Sequence, residues 1–182
     1  PGSVHNDVFF KAVPLVLETY PSARFWCAGM QDQPQAEQWV SQLQLHEEVC
    51  LLPFLSQAQL WHAFSQAACS VTISSHDGTP NSLLESMACG CLPVAGDIES
   101  LREWITPGVN GFLVPPQDVE RTAQAIIESI RRPQLRKNAA EHNLQVISER
   151  AEINYVRSQI QVFYQRVREQ TASAFVDKKN ID

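Results

Sequence analysis

Apolar positions along this chain fall into a repeating pattern, helical spacing alternating with short continuous runs. Residues 7–18 place Phe9, Phe10, Val13, Val16 and Leu17 on one stripe, which predicts a first helix that Pro14 kinks or from which it splits off a turn. Ala23-Arg24-Phe25-Trp26-Cys27-Ala28 reads as a buried strand ending at Gly29. A helix over 35–43, a strand over 49–52 and a helix over 57–66 anchored by Leu60, Trp61 and Phe64 follow. The strand 69–73 leads to a loop, a helix from Pro80 to Gly90, and the strand 92–95. A short helix over 101–105, a turn at 107–111 and a strand at 112–114 come next. Helices are then predicted over 118–130, 136–148 and 151–168, the last carrying Ile153, Val156, Ile160, Phe163, Tyr164 and Val167 at helical spacing. The polar stretch 171–182 reads as a loose tail after one domain spanning 1–170.

Strands alternating with helices of this length imply βαβ units, hence an α/β fold with a parallel sheet and helices on both faces. Right-handed crossovers bring every strand-to-helix loop to one sheet edge. Four loops meet there, at residues 29–30, 53–55, 75–81 and 96–98. Open sheets of this kind bind ligands at that edge.

Composition narrows the chemistry. The 182 residues are 44% hydrophobic, enough for a sizeable core, and the net charge of −6 argues against a nucleic-acid partner. No apolar run approaches the ~18 residues of a membrane span, and the opening residues carry no signal-peptide pattern. Cys27, Cys50, Cys69, Cys89 and Cys91 are odd in number and lie in or beside apolar runs. That suggests buried reduced thiols and a cytoplasmic location, not a disulfide framework. Cys89-Gly90-Cys91 has neither the spacing nor the second pair of a zinc site, so no metal is expected.

The chemistry concentrates in residues 76–90, His-Asp-Gly-Thr-Pro-Asn-Ser-Leu-Leu-Glu-Ser-Met-Ala-Cys-Gly. Thr79 is the expected N-cap and Pro80 the first helical residue, with Gly90 as the left-handed stop. Leu84, Met87, Ala88 and Cys91 would face the core. Asn81, Ser82, Glu85 and Cys89 would form a clear floor of small residues with one carboxylate. The first helical N–H groups, around Asn81 and Ser82, lack intrahelical partners and sit at the positive end of the macrodipole, which suits a phosphate. Asp77 precedes that tip, and Glu85 lies two turns on, ~9 Å along the axis at 1.5 Å per residue. Two acceptors flanking an anion site match the layout of a nucleoside diphosphate sugar.

Asp77, seven residues and Glu85, followed by Ser-Met-Ala-Cys-Gly-Cys-Leu-Pro-Val, resemble the E-x7-E signature of retaining glycosyltransferases of the GT-B fold. The similarity is to family 4, glycosyl transferases group 1, with Asp77 where that pattern has Glu. It continues through Pro107-Gly108-Val109-Asn110-Gly111-Phe112-Leu113-Val114-Pro115-Pro116. The resemblance implies the C-terminal, donor-binding half of such an enzyme, Rossmann-like, with the first strand of that half absent from this sequence. It implies a metal-independent hexosyl transfer from a nucleotide sugar, with no cofactor. Asp77 would hold the sugar hydroxyls and Glu85 the ribose, as the catalytic pair. Gly78, Thr79, Pro80, Asn81, Ser82 and Leu83 would bind the rest of the donor. Pro53, Phe54 and Leu55 would lie at the base, through backbone contacts.

The family's donor half also carries a Gly-Arg and a Lys-Gly that grip the diphosphate, and nothing before Asp7 supplies either cation; Lys11 matches neither position. The resemblance therefore implies a partnering N-terminal acceptor domain outside this chain, and a fragment that alone is inactive. The full-length protein would be cytoplasmic or peripheral to a membrane. The last helix, which crosses onto the other domain in the family, would here be exposed or pair two copies in a homodimer. The alternative is a non-catalytic nucleotide-sugar-binding or interaction module of the same fold. Hydrolase readings fit poorly, because Asp77 and Glu85 flank a helix tip and not one glycosidic bond. No G-x-S-x-G, P-loop or G-x-G-x-x-G motif is present. Arg102 is expected to pair on the surface with an acid such as Glu99.

Overall fold

A computed structural model describes residues 4–179. The elements in order are α1 (Asn6–Thr19), β1 (Phe25–Cys27), α2 (Pro34–Gln42), β2 (Val49–Leu51), α3 (Gln57–Gln66), β3 (Cys69–Thr72), α4 (Asn81–Ala88) and β4 (Leu92–Gly96). Then come α5 (Glu99–Arg102), β5 (Phe112–Val114), α6 (Val119–Arg131), α7 (Pro133–Arg150) and α8 (Ile153–Lys179). The α/β architecture with parallel strands and flanking helices is the one the alternating pattern implies. The chain divides into two compact units, Pro1–Leu144 and Gln145–Asp182.

The expected single sheet is in two pieces. β1 pairs in parallel with β2, Phe25 opposite Val49. β3, β4 and β5 form a second parallel sheet, with Val71 opposite Val94 and Val94 opposite Phe112. Among the described residues no pairing joins the two.

Helix α1 bridges them. Its Phe10 and Val13 pack with Cys27, Val40 and Val49 on the β1–β2 side, and Phe10 stacks at 5.0 Å on Trp39. Val8 packs with Ile73, Val94 and Val114, and Ala12 and Val16 pack with Ala123 and Ile126 of α6. The alanines bring the two helix axes close. Pro14 sits inside an unbroken α1, so it neither ends the helix nor splits off a turn.

Local signals explain most boundaries. Ser56 and Gln59 form a reciprocal capping box at α3, and the Asp118 side chain accepts from the Arg121 N–H at α6. The Arg136 guanidinium donates to the Ser129 and Ile130 carbonyls, closing the last turn of α6. Gly90, at φ 78°, terminates α4 as expected, and the Cys91 N–H returns to the Ser86 carbonyl at 2.9 Å.

Several expectations need correction. Trp61 of α3 is exposed, and that helix has no buried residue. The helix read over 101–105 is α5, four residues from Glu99 to Arg102. Cys27 and Cys91 are buried, but Cys50 is exposed. Burial pushes the Cys27 and Cys91 thiols up to about 12 and Cys69 to about 11, so all three stay protonated and inert. In the second unit, α8 runs on through the stretch read as a loose tail to Lys179; residues 180–182 lie outside the described residues. Its Ile153, Tyr155, Ile160, Phe163 and Tyr164 are exposed.

Candidate functional site

Strand β3 delivers the chain to the 73–80 loop, and α4 carries it away, so the expected loop-to-helix architecture is present. Its register is one residue later than the capping preference suggests. Pro80, extended at ψ 127°, is the cap residue, and α4 begins at Asn81. The Thr79 hydroxyl accepts from the Trp104 indole N–H at 3.1 Å, and no bond from it to the first turn of α4 is present among the described residues. Leu83 and Leu84 both turn their N–H groups to the Pro80 carbonyl, leaving those of Asn81 and Ser82 at the tip.

The buried face of α4 is Leu83, Ser86 and Met87, with Leu84 half-buried and Ala88 exposed. Leu83, at 2% exposure, is therefore core and offers a ligand no side chain. Ser86 donates to the Leu83 carbonyl at 2.8 Å and accepts from Ser70 of β3 at 3.0 Å, which ties helix to strand. Asn81 and Ser82 are exposed, and Glu85 and Cys89 half-buried, on the face expected to stay clear.

Glu85 is held in place. Its Oε1 accepts from Gln57 Nε2 of α3 at 3.1 Å. Burial, then the Glu85 charge, raises the Cys89 thiol pKa, so the acid and the thiol are neighbours on that floor. Asp77 is exposed, and its carbonyl accepts from Ser100 Oγ at 2.9 Å. The 77–80 loop is thus stapled at both ends by the segment after β4, through Ser100 and Trp104. Periodicity carried no signal for either contact, since both are long-range side-chain bonds. Arg102 pairs with Asp97 at 2.7 Å, not with Glu99, and its guanidinium lowers the Asp97 pKa.

A cavity of about 650 Å³ opens beside the tip. Gly29, Met30, Phe54, Leu55 and Ser82 are among the residues that line it. Phe54 is 88% exposed, and its ring lies across Gly29: a Cβ there would come within 3.1 Å of it, and Gly29 has φ 73°. Pro53 is not among the residues lining the cavity, and its carbonyl accepts from the Gly29 N–H at 3.0 Å. Asp77, Gly78, Thr79, Pro80, Asn81 and Glu85 lie outside that lining, around the same end of α4.

The second motif is structural. Asn110, 1% exposed, accepts from the Thr106 N–H and donates to the Trp104 carbonyl and to Asn143 Oδ1. Asn143 donates back to the Asn110 carbonyl at 3.1 Å. A reciprocally bonded buried pair of amides holds the 106–111 turn against α7.

Residues 5–146 match the sequence profile of the family described as glycosyl transferases group 1. Over 150 residues the chain is 23% identical to poly(glycerol-phosphate) alpha-glucosyltransferase of Bacillus subtilis, covering 81% of this chain and 22% of that protein. The C-terminal domain of a glycosyl transferase group 1 family protein, LpcC of Francisella tularensis, superimposes with a TM-score of 0.70 at 22% identity. That match covers 83% of this chain and 81% of the domain. HepE of Anabaena in complex with UDP-glucose superimposes with a TM-score of 0.78 at 20% identity, over 89% of this chain and 45% of that one. The chain spans 22% and 33% of the length of the curated relatives it matches. With its profile running from before α1 into α7, the chain belongs to the glycosyl transferases group 1 family.

Proposed function

We propose that this chain is the donor-binding half of a retaining, metal-independent glycosyltransferase that moves a sugar from a nucleoside diphosphate sugar to an acceptor. The observation that carries the reading is the open tip of α4. It leaves the Asn81 and Ser82 N–H groups facing outward, between exposed Asp77 and a Glu85 steadied by Gln57. Backbone N–H dipoles at a helix tip stabilise a departing diphosphate without reorganising. Glu85 then accepts from the ribose hydroxyls and Asp77 from those of the sugar, with the Phe54–Gly29 platform at the base. That UDP-glucose occupies HepE supports a nucleotide-sugar donor.

Arg102, in the segment after β4, is already committed to Asp97. Each missing charge-assisted bond to the diphosphate removes about 1.5–3 kcal/mol, roughly one to two decades of affinity. The chain by itself therefore binds donor weakly and transfers nothing. Titration calorimetry with UDP, GDP and ADP tests the reading. One of the three is expected to bind, and Glu85→Gln to weaken it at least ~10-fold by removing a charged acceptor. Silence with all three nucleotides at millimolar concentration defeats it.

A further inference from the structure

The cavity beside the α4 tip is a slot between the two sheets, lined by Trp26 of β1, Val71 of β3, and Leu60 and Phe64 of α3. Among the described residues no strand pairing crosses it. The candidate site straddles this seam. Its Phe54–Gly29 platform sits on loops that leave β2 and β1, whereas Asp77 and Glu85 belong to the loop and helix that follow β3. A side-chain hydrogen bond joins the two halves there, from Gln57 Nε2 to Glu85 Oε1 at 3.1 Å, between residues 28 positions apart.

The donor end of that bond is fixed on both sides. The Leu52 N–H donates to the Cys27 carbonyl at 2.9 Å, and the Leu52 carbonyl accepts from the Met30 and Gln31 N–H groups, both at 3.0 Å. Four residues on, the Ser56–Gln59 capping box sets the first turn of α3, and Gln57 is the first residue of that helix. Phe54 and Gln57 therefore lie in one segment anchored at each end. At the acceptor end, buried Leu83, Ser86 and Met87 hold α4, so only the Glu85 side chain has freedom left to lose. Its Oε2 has no bond among the described residues, and a carboxylate has lone pairs enough to keep the Gln57 bond and still accept from a hydroxyl. Because the Gln57 amide is neutral, Glu85 keeps its full charge for that purpose.

We infer that Gln57 is a positioning residue for ribose recognition. It fixes the Glu85 carboxylate relative to the Phe54 platform, so that base and ribose are held in register and a ribonucleotide is preferred over its deoxy counterpart. The inference rests on the nucleotide-sugar reading given above. A glutamate ordered before the ligand arrives spares the ordering cost of one side chain, roughly two- to tenfold in affinity. A nucleotide without ribose hydroxyls gains nothing from it.

The test is titration calorimetry with whichever of UDP, GDP and ADP binds, and with its 2′,3′-dideoxy form. The unmodified protein is expected to favour the ribose form at least ~10-fold, since Glu85 is a charged acceptor. Gln57→Ala, and Gln57→Met, which keeps reach and bulk without a donor, should each cut that preference roughly two- to tenfold. Affinity for the dideoxy form should not change in either. In a Glu85→Ala background, Gln57→Ala should cause no further loss. Three results overturn the inference and leave the reading of the site standing: an unchanged preference in both variants, an equal loss for both nucleotides, or a further loss on top of Glu85→Ala. Tighter binding of the ribose form by Gln57→Ala also overturns it, by making the amide a competitor for the carboxylate. No preference in the unmodified protein removes Glu85 from the ribose and defeats the reading and the inference together.

Discussion

Helices α3 and α4 each connect a strand to the next, and both are short, but the chain treats them very differently. α4 buries Leu83, Ser86 and Met87 against β3 and β4, sheet strands that have neighbours. α3 has a stronger local start, a full capping box, and comparable apolar residues in Leu60, Trp61 and Phe64, yet buries none of them. The difference lies beneath them: α4 has a continuous sheet below it, while α3 spans the slot between β1 and β3. A good helix signal fixes a helix in place only where something fills the space under it.

Truncation on either side of that seam gives the largest expected effect. Met87→Ala, in the closed half, is expected to cost about 2–5 kcal/mol, and Leu60→Ala, over the slot, about 1 kcal/mol or less. Urea denaturation compares them directly, and equal costs would break the contrast. Asn143→Ala sharpens it within the closed half. Removing one amide of the Asn110–Asn143 pair strands buried groups at about 1–3 kcal/mol, again read by urea denaturation.

Trp104→Phe tests whether the closed half also holds the site. An aromatic ring remains, smaller and without the N–H to Thr79, so stability should fall by about 1.5 kcal/mol or less. Affinity for the nucleoside diphosphate should fall several-fold as the 77–80 loop loosens. An unchanged affinity in calorimetry would separate the staple from the site.

The smallest effect is a dependence on acid. Arg102 holds the Asp97 carboxyl below its ordinary value of 3.8. A depressed folded pKa stabilises above the unfolded value and is lost as pH falls through the folded one. The pair therefore contributes at pH 5 and fades below about 3.8. Being exposed, it should give only a slight difference between the protein and Asp97→Asn, measured by urea melts from pH 5 to pH 2.

The α/β class, the order of the elements and the loop running into α4 were all legible in the periods of the chain, because periods of 2 and 3.6 residues are set by backbone geometry alone. So were the Gly90 stop and the Asp77–Glu85 spacing, which depend on residues adjacent in sequence. What local patterns misplaced were features with a long-range competitor. Thr79 reads as an N-cap by composition, but the Trp104 indole takes its hydroxyl, and α4 starts later. Asn110 reads as part of a signature, and only Asn143, 33 positions on, shows it to be an anchor. Glu85 could be named from spacing, but its orientation depends on Gln57 of a different helix. The split of the sheet between β1 and β3 was likewise invisible from the strands themselves, since an apolar run states that a strand wants neighbours and not whether the fold provides both.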